Sequence, residues 1–554
     1  MTFSNKVLSQ TITQLCLIKE IDHIVISPGS RNAPLTIGFT EHPEFKNFSI
    51  IDERCAAFFA MGMAQQLKRP VALVCTSGSA LLNYYPAIAE AFYSNIPLVV
   101  ISADRPQHLI DIGDGQTIRQ ENVYANHILY SANCMEGTEH QIKNETEINI
   151  ALNTAIELKG PVHINVPFSE PLYHTTTELS VRPQHVPARL EKNTIDLLET
   201  KLLDTWNAAN RIIVLIGVLD PESIDEDSLE KLAKDPRVIV FTETTSNVYH
   251  ENFFPAIDQL IAPLNNTDFE RLQPDLLLTF GGMVVSKKIK AFLRTYKPNK
   301  HWHVDIKRAF DTYFSLTEHI KLNPGDFLKA FLPKDIQHTS TYFKTWEQVK
   351  IHRLKKHETY LNSIPFSDLK VFSEIVKRLP DAIQLQLSNS ATIRYAQLFS
   401  IKPSIKVFCN RGTSGIDGST STAVGAAFIA SEQTVFITGD LSFLYDSNGL
   451  WNAYIPKHFR IILINNGGGG IFRILPGAKK VSQFDTFFET KHNFSAKHLC
   501  EMYDFRYEHV NSLESLQKSL ATFFDASDVP KLLEIDTSKQ NNDEILVTYF
   551  SEVR

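Results

Sequence analysis

Short runs of aliphatic and β-branched residues alternate with segments of helical periodicity along nearly the whole chain. This alternation is typical of parallel sheets with helices on both faces, and it predicts an α/β fold rather than a sandwich or a helical bundle. The runs that predict strands form three groups: 23–27, 48–52, 71–76, 98–102 and 162–166; then 212–216, 238–241, 276–280 and 302–305; then 383–387, 406–409, 435–438, 460–464 and 531–535.

Two polar stretches interrupt the periodicity, at 173–188 and at 332–365. They divide the chain into three doubly wound parallel-sheet domains, which we predict at 1–180, 190–335 and 365–554. The first and third groups share a plan in which a strand leads into a Ser/Asn/Arg loop and a later Gly/Ser-rich turn opens a helix. Two sheets of similar design suit a site built between them. The clearest helical patterns lie at 53–67, 79–93, 223–234, 287–295 and 345–361.

The charge and the cysteines of the chain exclude several kinds of binding partner and site. Among the 554 residues, 55 Lys and Arg against 62 Asp and Glu leave a formal charge of -7, which gives no general attraction to nucleic acid or anionic lipid. An anionic ligand must therefore be bound by a local cluster of cations. The six cysteines lack a C-x-x-C pair, the first residues lack the features of a secretory signal, and the apolar runs are shorter than the ~18 residues of a membrane span. We therefore expect a cytoplasmic protein without a membrane span.

Polar residues follow two neighbouring strands of the third group. Gly439-Asp440 comes after the strand at 435–438, and Asn465-Asn466 with four glycines comes after the strand at 460–464. Carboxylate and amide oxygens beside a flexible glycine run suit a hard divalent ion and a diphosphate, and magnesium fits better than zinc. In the alternative interpretation, Asp440 only begins a helix and the glycines form a turn. The four glycines favour the ion site, because each adds unfolded-state entropy that a plain turn does not need.

These motifs resemble the diphosphate and magnesium motif of thiamine-diphosphate enzymes, and the three groups of strands look like their pyrimidine-binding, central and diphosphate-binding domains. Within this superfamily the chain is most similar to the 2-succinyl-5-enolpyruvyl-6-hydroxy-3-cyclohexene-1-carboxylate (SEPHCHC) synthase family. The motifs that carry this resemblance are Ser27-Pro28-Gly29-Ser30-Arg31, Asp52-Glu53-Arg54, Thr76-Ser77-Gly78, Ala103-Asp104-Arg105-Pro106, Gly115-Gln116-Thr117, Asn410-Arg411-Gly412 and Ser414-Gly415-Ile416-Asp417-Gly418.

The resemblance implies a transferase of menaquinone biosynthesis. Such an enzyme decarboxylates 2-oxoglutarate on thiamine diphosphate and adds the succinyl semialdehyde carbanion equivalent to isochorismate. It implies Mg²⁺, with Mn²⁺ as an alternative ion, and a homodimer with shared active sites, while a homotetramer stays open. The wider superfamily has a second glycine after the motif aspartate, where this chain has Leu441. This departure speaks against acetolactate synthase more than against the SEPHCHC synthase family.

The resemblance also assigns roles to individual residues. Glu53 would activate the cofactor by a hydrogen bond to its pyrimidine ring, and Ile416 would support the bent cofactor from below. Because each substrate carries two carboxylates, the pocket needs several cations. The implied metal ligands are Asp440, Asn466 and the backbone carbonyl of Gly468; the residues for 2-oxoglutarate are Ser390, Arg394 and Arg411; those for isochorismate are Arg31, Arg105, Gln116 and Lys287, with Ser30 as a further hydrogen-bonding residue.

Each of these residues also has an ordinary structural interpretation. Glu53 alone is typical of a charge that complements a helix dipole, Ile416 of a core contact, and single arginines of a solvated surface. Two other functions stay open from the residues: another thiamine-diphosphate 2-oxoacid decarboxylase or carboligase, or a non-catalytic nucleotide-binding protein. Against the second, no G-x-G-x-x-G follows a strand and no G-x-x-x-x-G-K-[ST] occurs.

Overall fold

Three parallel sheets, one after another along the chain, organise the molecule. The computed structural model describes residues 2–189, 200–333, 338–474 and 477–554. The sheets contain six, five and six strands, and helices lie between most successive strands, so the predicted α/β class is confirmed. Among the described helices, none is both long enough and apolar enough to cross a membrane.

The first sheet has the strand order β3-β2-β4-β5-β7-β6, and the short strands β1 and β8 pair beside it. The strands of this part of the chain are β1 (Phe3–Ser4), β2 (His23–Ile26), β3 (Lys46–Ser49), β4 (Val71–Cys75), β5 (Leu98–Asp104), β6 (Tyr130–Asn133), β7 (Val162–Pro167) and β8 (Thr175–Thr176). Its helices are α1 (Val7–Ile18), α2 (Ala33–Thr40), α3 (Glu53–Leu67), α4 (Ser79–Asn83), α5 (Tyr85–Ser94) and α6 (Gln141–Leu158). We call this part of the chain the first segment.

The central segment carries a smaller sheet of order β10-β9-β11-β12-β13. Its strands are β9 (Ile212–Ile216), β10 (Val238–Thr242), β11 (Leu276–Phe280), β12 (Lys300–Val304) and β13 (Glu318–Ile320). Its helices are α7 (Thr200–Ala208), α8 (Glu226–Lys234), α9 (Ile257–Ile261), α10 (Asn266–Leu272), α11 (Lys287–Thr295) and α12 (Pro324–Phe331).

The third segment has the strand order β15-β14-β16-β17-β19-β18, which repeats the order of the first sheet strand for strand. Its strands are β14 (Gln384–Leu387), β15 (Lys406–Cys409), β16 (Thr434–Gly439), β17 (Phe459–Asn465), β18 (Arg506–Val510) and β19 (Lys531–Asp536). Its helices are α13 (Tyr342–Ser363), α14 (Asp368–Arg378), α15 (Ala391–Ala396), α16 (Ser419–Ile429), α17 (Asp440–Tyr445), α18 (Lys497–Met502), α19 (Leu513–Phe523) and α20 (Asn542–Glu552).

Among the predicted elements whose bounds differ from the structure, two differ for clear local reasons. The strand expected at 48–52 is β3, which ends at Ser49, because the side chain of Asp52 instead caps α3 by accepting a hydrogen bond from the Cys55 amide. The single helix expected at 79–93 is two helices, α4 and α5. Pro86 lies in the first turn of α5, where its missing N–H is tolerated, whereas it could not continue α4.

Helices α3 and α16 join the first segment to the third through direct backbone contact. A Cβ atom added to Gly62 would lie 2.1 Å from the carbonyl oxygen of Thr422, and one added to Gly425 would lie 2.0 Å from that of Phe59. Only glycine permits so close an approach of two helix backbones. The helices therefore hold the two sheets with the repeated order against each other.

Candidate active site

The carboxylate of Asp440 lies at the carboxyl ends of β16 and β17. Its Oδ2 atom accepts hydrogen bonds from the amides of Gly467 at 2.8 Å and Gly468 at 2.9 Å, and its Oδ1 atom accepts one from Leu441 at 2.7 Å. Gly467 has φ +77° and Gly468 has φ +143°, both in the region that side chains disfavour. The glycine run is therefore required where the backbone turns towards the carboxylate.

Asn466 adds a buried oxygen to the same place. Its Nδ2 atom donates to Asp368 Oδ2 at 2.9 Å, while its Oδ1 atom is buried and has no hydrogen-bond partner among the described residues. Burial raises the pKa of Asp368 to about 6. A buried acceptor left unpaired costs about 1–3 kcal/mol, and an amide oxygen beside a carboxylate is a typical ligand of a hard divalent ion. The donor set fits Mg²⁺.

His492 is a member of this cluster that the sequence analysis missed. Its Nε2 atom lies 3.2 Å from Asp440 Oδ2, its side chain is 7% exposed, and the neighbouring carboxylate raises its pKa. A divalent ion on Asp440 would compete with the imidazolium for the same oxygen. No motif marks His492, because it reaches Asp440 only through the fold of the chain after β17.

Arg394 and Arg411 come together at the carboxyl end of β14. Arg411 Nη1 donates to Asn389 Oδ1 at 2.7 Å, and Arg394 Nη1 donates to the carbonyl of Ser390 at 2.6 Å. Burial, and then the charge of Arg411, lower the pKa of Arg394. Ser390 has φ +67°, a strained backbone typical of functional sites. Two arginines held together in partial burial favour an anionic ligand.

The central segment brings further charges to this arginine pair. Burial lowers the pKa of Lys290, which lies one turn into α11, and the nearby charges of Glu243 and Arg411 act on it in opposite directions. Glu243 is buried and accepts hydrogen bonds from the amides of Val285 at 2.7 Å and Ser286 at 2.8 Å. Burial raises its pKa to about 7. The predicted Lys287 is the exposed first residue of α11, and the structure places Lys290 deeper than Lys287.

Arg31 and Arg105 line a second cleft, of about 650 Å³, in the first segment. Arg31 Nη1 donates to the carbonyl of Phe168 at 2.7 Å and Nη2 lies 3.1 Å from Glu170 Oε1, while Arg105 Nη2 donates to the carbonyl of Gly115 at 3.0 Å. The Nε atoms of both arginines are buried and unpaired within the described chain. The exposed residues Ser30 and Gln116 neighbour Arg31 and Gly115 in the sequence, and Gln116 has φ +54°.

Glu53 is the half-buried first residue of α3. Asn83 Nδ2 donates to its Oε2 atom at 3.4 Å. The residue after it reaches the third segment, because Arg54 Nη2 donates to the carbonyl of Tyr445 at 3.0 Å. Ile416 is half-buried, and its carbonyl accepts from the Ser442 hydroxyl of α17 at 3.0 Å. The helix that begins at Asp440 therefore lies between Arg54 and Ile416.

A larger cavity, of about 810 Å³, opens between the central and third segments. Its walls include Phe253, Leu354 and Phe399, and Glu243 reaches it from β10. The lining, as far as the structure describes it, contains the cations Lys350 and Lys377 but no arginine.

Comparison with known families assigns all three segments. Residues 7–126 match the N-terminal TPP binding domain of thiamine pyrophosphate enzymes, residues 184–387 match the middle domain, and residues 390–535 match the C-terminal TPP binding domain. The first and third matches include the segments that carry Glu53 and Asp440.

Relatives over the full chain share one name, 2-succinyl-5-enolpyruvyl-6-hydroxy-3-cyclohexene-1-carboxylate synthase. The relative from Flavobacterium johnsoniae is 55% identical and covers 100% of both chains. That from Christiangramia forsetii is 54% identical, with 100% of this chain and 99% of the relative covered. The relative from Porphyromonas gingivalis is 37% identical, with 100% of this chain and 98% of the relative covered. The chain therefore belongs to the SEPHCHC synthase family of thiamine-diphosphate enzymes.

Proposed function

We propose that this enzyme joins 2-oxoglutarate to isochorismate with loss of carbon dioxide, in menaquinone biosynthesis. The observation that carries the proposal is the presence of two separate arginine clusters, Arg394 with Arg411 and Arg31 with Arg105. Two dicarboxylate substrates require two such clusters, whereas a simple 2-oxoacid decarboxylase needs fewer cations. The names of the full-length relatives agree with this assignment.

The oxygen cluster at β16 and β17 fits the metal that thiamine diphosphate needs. Asp440, the unpaired Asn466 Oδ1 and the carbonyl of Gly468 would hold Mg²⁺, or Mn²⁺ as the alternative, and through it the diphosphate. Glu53 would contact the pyrimidine ring and Ile416 would support the two rings. When bound, thiamine diphosphate supplies the electron sink for decarboxylation and the carbon nucleophile for the new bond.

The residues of the chain orient the substrates and neutralise their charge. Arg394 and Arg411, with Ser390, would bind the carboxylates of 2-oxoglutarate through charge-assisted hydrogen bonds. Positioning of this kind converts encounters between two substrates into a reaction within one complex. The residues assigned to isochorismate are Ser30, Arg31, Arg105, Gln116 and Lys287.

In this proposal Glu53 holds the proton that is shared with the pyrimidine ring of the cofactor. Its carboxyl group would donate a hydrogen bond to the pyrimidine nitrogen, and an acid held there can exchange that proton during catalysis. The first residue of a helix is a suitable place, because the backbone of α3 fixes the side chain beside the domain interface. We further propose a homodimer in which one chain supplies Glu53 and the other Asp440 to each site.

The function is tested by product analysis. The protein, thiamine diphosphate and Mg²⁺ are incubated with ¹³C-labelled 2-oxoglutarate, with and without isochorismate, and the products are identified by mass. We expect labelled adduct only when both substrates are present, and none when Mg²⁺ is removed by chelation. Rapid release of succinic semialdehyde without isochorismate would instead identify a 2-oxoacid decarboxylase.

A further inference from the structure

Glu90 is a buried carboxylate of α5 whose partners lie mainly in the third segment. The residue is 1% exposed. Oε1 accepts a hydrogen bond from the Gly412 amide at 2.6 Å, and Oε2 accepts from the amide and the hydroxyl of Thr413 at 2.6 and 2.8 Å. Ser94 of the same helix also donates to Oε1, at 2.7 Å. Four donors from two segments therefore satisfy one carboxylate.

The turn that Glu90 holds is pressed against α5. A Cβ atom added to Gly412 would lie 2.5 Å from the backbone carbonyl of Glu90 and 2.9 Å from its Oε1 atom. No residue with a side chain fits at position 412 without displacing the turn. The turn therefore has one position relative to the helix.

This turn connects two parts of the proposed site. Arg411 immediately precedes the two bound amides, and Ile416 follows them before α16 begins. Arg411 lies beside Arg394, and the repulsion between the two guanidinium groups favours their separation. Asn389 holds the Arg411 side chain, whereas Glu90 holds the backbone that follows it.

We propose that Glu90 is a positioning residue, which fixes the turn at 411–413 so that Arg411 meets a carboxylate of the 2-oxoacid substrate. The proposal rests on the proposed function, in which Arg411 binds 2-oxoglutarate. Glu90 lies behind the turn and acts through Arg411 rather than on the substrate. Its loss should therefore weaken oxoacid binding without removing the cofactor site.

Glu90→Gln is the main test. The amide oxygen of the introduced glutamine can still accept from one backbone amide, but its NH₂ group faces the other N–H donor, so one contact is lost. We expect the apparent KM for 2-oxoglutarate to rise about ten-fold, with a smaller change in kcat and an unchanged Kd for thiamine diphosphate. Ser94→Ala is the matched control, because it removes a donor from the same carboxylate but leaves both bonds to the turn; its KM should stay at the wild-type value.

A second readout reports the turn itself. Hydrogen–deuterium exchange at the amides of Gly412 and Thr413 should be faster in Glu90→Gln than in the wild type or in Ser94→Ala. If exchange becomes faster but the KM for 2-oxoglutarate does not change, Glu90 has no positioning role. Should Glu90→Gln not fold, Glu90→Asp keeps the charge, withdraws both oxygens by one methylene, and must raise the same KM for the proposal to stand.

The proposed function can fail separately from this inference. Arg411→Ala raises the KM for 2-oxoglutarate if Arg411 binds that substrate. If Arg411→Ala leaves this KM unchanged, the assignment of Arg411 is wrong, whatever the exchange data show. If Arg411→Ala raises it and Glu90→Gln does not, only the role of Glu90 is wrong.

Discussion

Asn466 illustrates, at the scale of the residue, how a local cost to stability accompanies a candidate site. Its buried Oδ1 atom has no partner within the described chain, although the rest of its amide is held by Asp368. Ser390 adds a strained backbone at φ +67°, and Arg394 and Arg411 add adjacent like charges. Each feature lowers the stability of the free protein, and a cation at Asn466 Oδ1 or an anion between the two arginines would relieve the cost at its own place.

Asp440→Ala should weaken magnesium and thiamine diphosphate together. The carboxylate is both a proposed ligand and the acceptor for the Gly467 and Gly468 amides, so its loss removes the ion that holds the diphosphate. We expect the Kd for the cofactor to rise more than about ten-fold, measured by calorimetry at several Mg²⁺ concentrations. Asp446→Asn, at the other end of α17, is the control and should keep the wild-type Mg²⁺ dependence. An unchanged Kd in Asp440→Ala would contradict the metal assignment.

Arg394→Ala and Arg411→Ala should each raise the apparent KM for 2-oxoglutarate. A charge-assisted hydrogen bond contributes about 1.5–3 kcal/mol, which corresponds to roughly ten-fold or more in steady-state kinetics. Arg31→Ala and Arg105→Ala serve as the comparison, and their effect should fall on isochorismate. If each pair affected the other substrate, our division of the two clusters would be reversed.

Glu243→Gln should change how stability depends on pH. Burial raises the pKa of Glu243 to about 7, so the folded state favours the neutral acid. The stability that this preference contributes is fully present below the ordinary pKa of about 4.5 and is lost as the pH rises through about 7. Gln is neutral throughout and keeps both backbone amide bonds through Oε1.

Urea unfolding at pH 5 and pH 8 measures this difference. From pH 5 to pH 8, the free energy of unfolding of the variant should rise relative to that of the wild type by on the order of 3 kcal/mol. Equal pH dependence in both proteins would show that Glu243 titrates in the folded state as it does in the unfolded chain.

At the scale of the element, the bounds of a helix or strand are predicted well where its side chains are buried in a regular pattern. The bounds of β9, β11, β15, α3 and α11 are predicted correctly, because these elements carry continuous apolar runs or clear helical periodicity. The edge strands β6, β13 and β18 were not predicted, since their side chains are mostly exposed or half-exposed and form no apolar run. Asp440 and Asn466 could be proposed from the sequence because they directly follow strands. Glu90, Glu243 and His492 could not be proposed, because contacts between distant parts of the chain determine their positions.

Gly425→Ala should destabilise the protein through the contact between α3 and α16. Alanine normally stabilises a helix interior relative to glycine by up to about 1 kcal/mol. Here the added Cβ atom would lie 2.0 Å from the Phe59 carbonyl oxygen, so we expect a loss of about 1–3 kcal/mol in urea unfolding. Gly439→Ala is the control, because its Cβ would meet nothing closer than 3.8 Å. A stabilised Gly425→Ala variant would show that the two backbones do not approach as described.

At the scale of the whole molecule, the repeated strand order of the first and third sheets is the main organising feature. The two sheets lie back to back through α3 and α16, and the residues proposed for the cofactor come from both. The shared plan of the two sheets is predictable from the sequence. The helix contact is not, because Gly62 and Gly425 resemble any helix glycine until their partners are known.

Mixed dimers test whether each site draws on two chains. Glu53→Gln and Asp440→Ala should each be inactive alone. In a mixed dimer with shared sites, one site carries both changes and the other is wild type. Random assortment makes half of the dimers mixed, and half of their sites intact, so about a quarter of wild-type activity should return on co-expression. No recovery with verified mixed dimers would assign each site to a single chain.

The contact between α3 and α16 also has a consequence for synthesis on the ribosome. Arg54 and Tyr445, which meet beside it, lie 391 residues apart in the sequence. At the usual rate of about 5–20 residues per second, the apolar face of α3 waits about 20–80 s for its partner to be translated. During this interval the emerging first segment lacks the third-segment partners of α3, which are the Thr422 backbone at Gly62 and the rings of Phe428 and Tyr454 at Phe59. The nascent chain is therefore most prone to aggregation, and most in need of a chaperone, before the third segment leaves the ribosome.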